Sequence, residues 1–285
     1  MSSDREQSRF SSILVAVDGS AHAETAVEYG AWLAASLGAS VTVMHVIDAR
    51  RLAGHFIKHL SEIIGGDHSE GLLARVREYY RAHGQKALER TQAICERYGV
   101  ECQTELETGN VVQILAARGA NADLLVMGQH GEDKERETGF LGSVAEKVVR
   151  KVERPLLLAQ PPFREFRRAL LAYDGSAAAR RAMRQLARLA VMLKMEVDAV
   201  ELVEWNEQTE ALMEVSRYFK DFPVHLTTHY LTGDSLSVIL NHAQEKKCDL
   251  LAMGAYADQT AESLGLGSTT EYLMRASFVP ILVHH

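Results

Sequence analysis

The chain has 285 residues, a length that fits two domains. Hydrophobic residues make up 47% and charged residues 24%, so a sizeable core needs no staples, and 3 cysteines are too few for a disulfide framework. A net charge of −7 argues against a protein built to grip nucleic acid or anionic membranes.

The N-terminal ten residues are polar and charged, without an apolar segment of signal-peptide length. The longest apolar runs, such as 13–17, are too short to span a bilayer. The expectation is a soluble cytoplasmic protein with no membrane insertion.

In chain order, strands are predicted near 12–18, 41–47, 101–107, 123–128 and 155–160. Helices are predicted near 20–37, 70–98, 110–120 and 142–153. Ser20 and Asn110 suit helix N-caps, and Gly38 suits a helix C-terminus. Pro161-Pro162 and the charged stretch 164–168 then mark a join.

Beyond the join the pattern repeats. Residues 13–20 read ILVAVDGS and residues 169–176 read ALLAYDGS, an offset of 156. The apolar stripe Ala23, Ala26, Val27, Leu33, Ala34, Leu37 recurs at the same offset as Ala179, Ala182, Met183, Leu189, Ala190, Leu193. Later, ADLLVMG at 122–128 matches CDLLAMG at 248–254, and Gly142-Ser143 matches Gly267-Ser268 at an offset of 125. The second copy therefore lacks about 31 residues (156 less 125) of its second crossover, where one short helix over 210–219 stands for a long one. Two domains are expected, 1–162 and 163–285. Strands alternating with helices predict an α/β fold with two doubly wound parallel five-stranded sheets.

In such a sheet, ligands bind beyond the carboxyl ends of the strands, where the strand order reverses. Two segments have the composition for that place. Asp18-Gly19-Ser20 ends the first strand and opens a helix. Gly128-Gln129-His130-Gly131 ends the fourth, ahead of a polar loop and Gly142-Ser143. Glycines let backbone N–H groups approach a phosphate, which is the natural guest of such a loop.

DGS after a first strand, then G-2x-G, a loop, and G-S resembles the ATP-binding members of the universal stress protein family, twice along nearly the whole chain. The resemblance implies an adenine nucleotide alpha hydrolase-like fold with strand order 3-2-1-4-5 in each copy. It implies that Ala16, Val17 and Asp18 line the adenine and ribose side, with Asp18 accepting hydrogen bonds. Val46 would contact the base through its backbone, and Met127 and Gly128 would continue the floor. Gly131, Gly142, Ser143 and Val144 would hold the phosphates of ATP; the acids of the loop 132–141 would repel those phosphates unless they point outward or hold Mg²⁺. In the second copy the same places fall to Asp174, Val203, Gly254, Gly267, Ser268 and Thr269.

Two departures stand out. The loop 132–141 has 10 residues where the family pattern has nine, and it carries four acids. The second glycine of the second copy is Ala257.

No G-x-x-x-x-G-K-[ST] loop occurs, and no nucleophile–His–acid set or metal triad is evident in the sequence. Phosphoryl transfer needs positioned charge and an oriented water, so hydrolysis is expected to be slow at most. The function expected is stress-response regulation through nucleotide binding and an unidentified regulatory protein. The alternative is a non-nucleotide module used for dimerisation or interaction.

Other clusters read as structural. His55 and His59, four apart, lack a third ligand nearby. His225 and His229 share a strand face and are expected at the surface. His130 is expected to be a solvated loop residue, and Cys95 and Cys102 ordinary thiols. Arg180, Arg181, Arg184 and Arg188 form a basic helix face that is solvated or at a domain contact. In the strand order that the resemblance implies, the last strands of the two copies, 156–160 and 281–285, would be edges, and pairing them antiparallel would make an internal pseudo-dimer. The long insert 53–92 offers a surface for homodimerisation.

Overall fold

A computed structural model describes residues 10–52, 66–131, 143–203, 210–233, 236–255 and 268–285, with backbone alone for 66–70, 72, 143 and 268. Gly142, Gly267, Ala257, His55 and His59 lie outside the described residues.

The first half runs β1 (Ser12–Val17), α1 (Ala21–Leu37), β2 (Ser40–Asp48), α2 (Ala49–Leu52), α3 (Gly66–Arg97), β3 (Cys102–Gly109), α4 (Val111–Gly119), β4 (Leu124–Gly128), α5 (Ser143–Val149) and β5 (Leu156–Ala159). The second runs β6 (Arg168–Ala172), α6 (Ala177–Leu193), β7 (Glu196–Val203), α7 (Ala211–Phe219), β8 (Leu226–Thr232), α8 (Ser237–Glu245), β9 (Leu250–Gly254), α9 (Ser268–Ala276) and β10 (Ile281–His284). The shortened crossover is α7, with 9 residues against the 32 of α3. Helix α5 ends at Val149, earlier than expected. Pro155 lies just ahead, and the chain turns out of the helix through Lys151 N–H to Val148 O at 2.9 Å.

Local chemistry sets the helix ends. The Ser20 hydroxyl accepts from the Ala23 N–H, and the Ser176 hydroxyl repeats this with Ala179, each at 3.1 Å. Asn110 caps α4 the same way, accepting from the Gln113 N–H at 3.1 Å. Gly38 closes α1 in the left-handed region at φ 69°.

Each half has strand order 3-2-1-4-5, and the halves join into one ten-stranded sheet, β3-β2-β1-β4-β5-β10-β9-β6-β7-β8. The joint is the expected antiparallel pairing of the last strands, with Leu282 opposite Leu157. All other pairings are parallel. Side chains alternate between faces, and each face carries a core that runs through both halves. Ile13, Val15, Leu157, Leu171, Ala199 and Leu282 belong to one, under α1, α3, α6 and α7. Leu14, Met44, Leu125, Leu158, Leu170 and Val283 belong to the other, under α4, α5, α8 and α9.

Side chains stitch the halves together. Tyr29 and Trp32 of α1 pack on Phe163 and Phe166 of the connection. The Arg188 guanidinium lies 4.5 Å from the Phe10 ring centre, so part of the basic face is a contact between halves. The Gln129 side chain donates to the Met274 carbonyl. Among the described residues, no helix is long and apolar enough to cross a membrane.

Candidate functional site

Strand order reverses in the first half between β1 and β4, because β2 and β3 lie to one side of β1 and β4 and β5 to the other. The carboxyl ends of these strands therefore splay around a crevice. A cavity of about 170 Å³ occupies it, space for on the order of ten water positions.

Its walls are assembled from distant segments. Ladder register sets Ala16 beside both Met44 and Met127, so three strands supply one apolar floor. Val46 and Leu115 extend that floor, and Val144 and Ala145 of α5 close one end. Tyr80 and His83 of α3 form the opposite wall. Of the residues expected in the first half, Ala16, Val17, Asp18, Val46, Met127, Gly128, Gly131 and Val144 all line this cavity. Ser143 is the first residue of α5.

The Asp18 carboxylate is the polar centre. Its Oδ1 accepts from the Ser20 N–H at 3.0 Å, which ties it to the DGS turn. A Cβ built at Gly131 would stand 2.6 Å from Asp18 Oδ2, so the G-2x-G turn has come down onto the carboxylate. Any side chain at 131 must displace Asp18. Gly128 meets a different neighbour, since its Cβ would lie 2.8 Å from His22 Cβ and 2.9 Å from the His22 carbonyl carbon. Gly254 repeats this at 2.5 Å from the Ala179 backbone nitrogen. The first glycine of the motif thus lets the end of β4 seat on the first turn of α1, and the end of β9 on the first turn of α6.

Several wall residues were not anticipated. His45, Arg51, Tyr80, His83 and Gln129 line the cavity. Burial holds the His45 imidazole below its ordinary pKa against the opposing pull of Asp18, so its neutral form is favoured. Its ring edge fits the notch at Gly84, where a Cβ would fall 2.7 Å from His45 Cδ2. The signal for these positions was the helical stripe of α3, where Gly84, Ala87, Leu88, Thr91, Ile94 and Cys95 are buried. Periodicity marks the buried face but not what it covers. His130 is not a solvated loop residue: it is half-buried, with its ring centre 4.9 Å from that of His22.

The second half builds its counterpart differently. Asp174 Oδ1 accepts from the Ser176 N–H at 2.9 Å, but Asp174 is exposed where Asp18 is half-buried. Short α7 stands over the turn in place of α3, with Ala211 Cβ 3.7 Å from the Cβ position of Gly175. Thr269 is exposed in the first turn of α9. Register sets Ala16 beside Met44 and its counterpart Ala172 beside Val200. Counting on from there, Leu202 rather than Val203 occupies the place of Val46. Val203 sits one residue further on and therefore faces the opposite side of the sheet.

A statistical model of the universal stress protein family matches residues 9–160 and again 165–285. The chain belongs to the universal stress protein family. Universal stress protein Slr1230 from Synechocystis is 28% identical over 281 residues, covering 95% of this chain and 98% of that one. A solved universal stress protein from Archaeoglobus fulgidus superimposes with a TM-score of 0.74 at 20% identity, covering 96% of this chain and 97% of that one. A Pseudomonas aeruginosa structure described as a putative universal stress protein gives 0.63 at 15%, covering 98% and 94%. At such identities the solved structures speak for the shared tandem fold of this universal stress protein, not for its ligand.

Proposed function

We propose that this universal stress protein binds an adenine nucleotide, ATP, in the first-half crevice and works as a stress-response regulator. The observation that carries this reading is the approach of Gly131 to Asp18 at the switch point, beside an apolar floor. Ala16, Met44, Val46 and Met127 offer flat apolar surface for a base. The Asp18 carboxylate accepts hydrogen bonds from ribose hydroxyls. Gly131 and the segment running into Ser143 and Val144 take the phosphates, and Arg51 adds positive charge at the rim. Mg²⁺ accompanies ATP in this reading.

Hydrolysis is slow at most in this proposal. Among the described residues lining the cavity there is no lysine of the kind P-loop enzymes place on phosphates. Regulation then rests on a nucleotide-dependent change in conformation or in contact with a protein partner.

Isothermal titration tests this reading. Full-length protein is expected to bind Mg-ATP below millimolar concentration. Gly131→Val is expected to weaken binding at least tenfold, about 1.4 kcal/mol, with unchanged circular dichroism. Absence of heat at millimolar Mg-ATP, or equal affinity in the variant, overturns the proposal. A stoichiometry of two would extend it to Asp174 and its neighbours in the second half.

A further inference from the structure

A second group of side chains meets away from the crevice. Asp198 of β7, His229 of β8 and His242 of α8 each offer one ligand atom, and the three atoms lie within 4.8 Å of one another. The strands bring the first two together: Val200, two residues on from Asp198, pairs with His229. Helix α8 covers this face and lowers His242 onto them, with the two imidazole centres 4.7 Å apart.

Three features mark the group as unfinished. Asp198 is 1% exposed, an expensive place for a carboxylate. Its Oδ1, His229 Nε2 and His242 Nε2 are all buried without a hydrogen-bond partner. His229 Nε2 stands 3.6 Å from Asp198 Oδ1, beyond hydrogen-bond length. Ligand atoms around a tetrahedral ion with bonds of about 2.1 Å stand about 3.4 Å apart, close to that spacing.

The surroundings suit a ligand set. Arg168 Nη1 holds the other oxygen of Asp198 at 3.2 Å, which turns Oδ1 toward the imidazoles. Glu196 pairs with the same arginine and offsets its charge. Both histidines are half-buried as residues, although their Nε2 atoms are buried.

Among the described residues, the first half has no such set. At the equivalent ladder positions stand Thr42 for Asp198 and Glu105 for His229. There Glu105 pairs with Arg118 of α4, which also reaches Glu107 at 3.3 Å. One copy closes this strand–helix seam with an ion pair, and the other brings two imidazoles to a buried carboxylate.

We propose that Asp198, His229 and His242 form a binding site for a first-row divalent transition metal of the zinc class, which clamps edge strand β8 to β7 and α8. Two imidazoles with one carboxylate suit Zn²⁺, Co²⁺ or Ni²⁺ rather than Mg²⁺ or Ca²⁺. Three protein ligands leave a fourth position for water.

The test uses tag-free full-length protein, stripped of metal with a chelator and free of nucleotide, titrated with zinc chloride by calorimetry. One Zn²⁺ per chain is expected. Affinity is expected to fall at least tenfold in His229→Gln and in His242→Gln, and to be unchanged in the double variant His55→Gln/His59→Gln. Equal affinity in His242→Gln, or a loss confined to the His55/His59 variant, overturns the site. Should the glutamine variants misfold, cobalt-loaded wild type decides. An intense visible band of four-coordinate Co²⁺ supports the site, and the pale spectrum of hydrated Co²⁺ overturns it.

Discussion

Replacing Leu282 by alanine probes whether the two halves share one core. Leu282 is fully buried, pairs with Leu157 across the antiparallel joint and with Ala252 on its other side. The change removes three methylene equivalents at about 0.8 kcal/mol each, about 2.4 kcal/mol of transfer free energy. The site lies between two strands and cannot collapse freely, so an unrelaxed cavity raises the cost to about 3–5 kcal/mol. Urea unfolding followed by both circular dichroism and tryptophan fluorescence reads this. Trp32 reports on the connection, since its ring centre lies 5.2 Å from that of Phe166. A shared core predicts one transition in wild type and the same shift in both signals. It also predicts that Leu157→Ala and Leu282→Ala combine non-additively, by about 0.5 kcal/mol or more. A cost below about 1 kcal/mol, or two separate transitions, refutes the shared core.

Two further outcomes follow from particular residues. Gly254→Ala places a Cβ 2.5 Å from the Ala179 backbone nitrogen, which cannot yield like a side chain, so thermal denaturation should show a loss of about 1–3 kcal/mol; an unchanged midpoint would contradict the seating of β9 on α6. Burial, with Arg181 and His285 beside it, pushes the His284 imidazole down to about 4 from its ordinary 6.5. The unfolded chain therefore takes up a proton that the folded chain resists, and stability rises with pH through this window. It is full above pH 6.5 and falls as pH drops toward 4, this group contributing at most about 1.4 kcal/mol per pH unit. His284→Asn should flatten part of that slope in urea titrations across the range; an unchanged slope removes His284 as a cause.

The topology was legible because two signals reinforced each other. Repetition of DGS after an apolar strand fixed the copies, and alternation of strands with amphipathic helices fixed the layers. The joint followed from the strand order that the family resemblance implies, which leaves the last strand of each copy as an edge to be covered, and Leu156, Leu157 and Leu158 meet Ile281, Leu282 and Val283 there. The site was legible where backbone chemistry speaks: Asp18 and Gly131 lie at strand ends, and their types announce a turn. It was less legible where packing decides. Histidines at 45 and 83 carry no sign of the cavity between them, because strand and helix periods record burial but not partners. His229 illustrates this most sharply. Strand pattern placed it at the surface beside His225, yet His225 is exposed and precedes the strand, whereas His229 is half-buried against Asp198 and His242. The match of Val203 to Val46 failed by one residue, and in a strand one residue changes the face.

Photolabelling with 8-azido-ATP asks where on the chain the nucleotide sits. After irradiation and digestion, binding in the first-half crevice predicts label on peptides carrying the ends of β1, β2 and β4, around Val17, Val46 and Met127, suppressed by excess ATP. Label confined to other peptides, or insensitive to ATP, would contradict it.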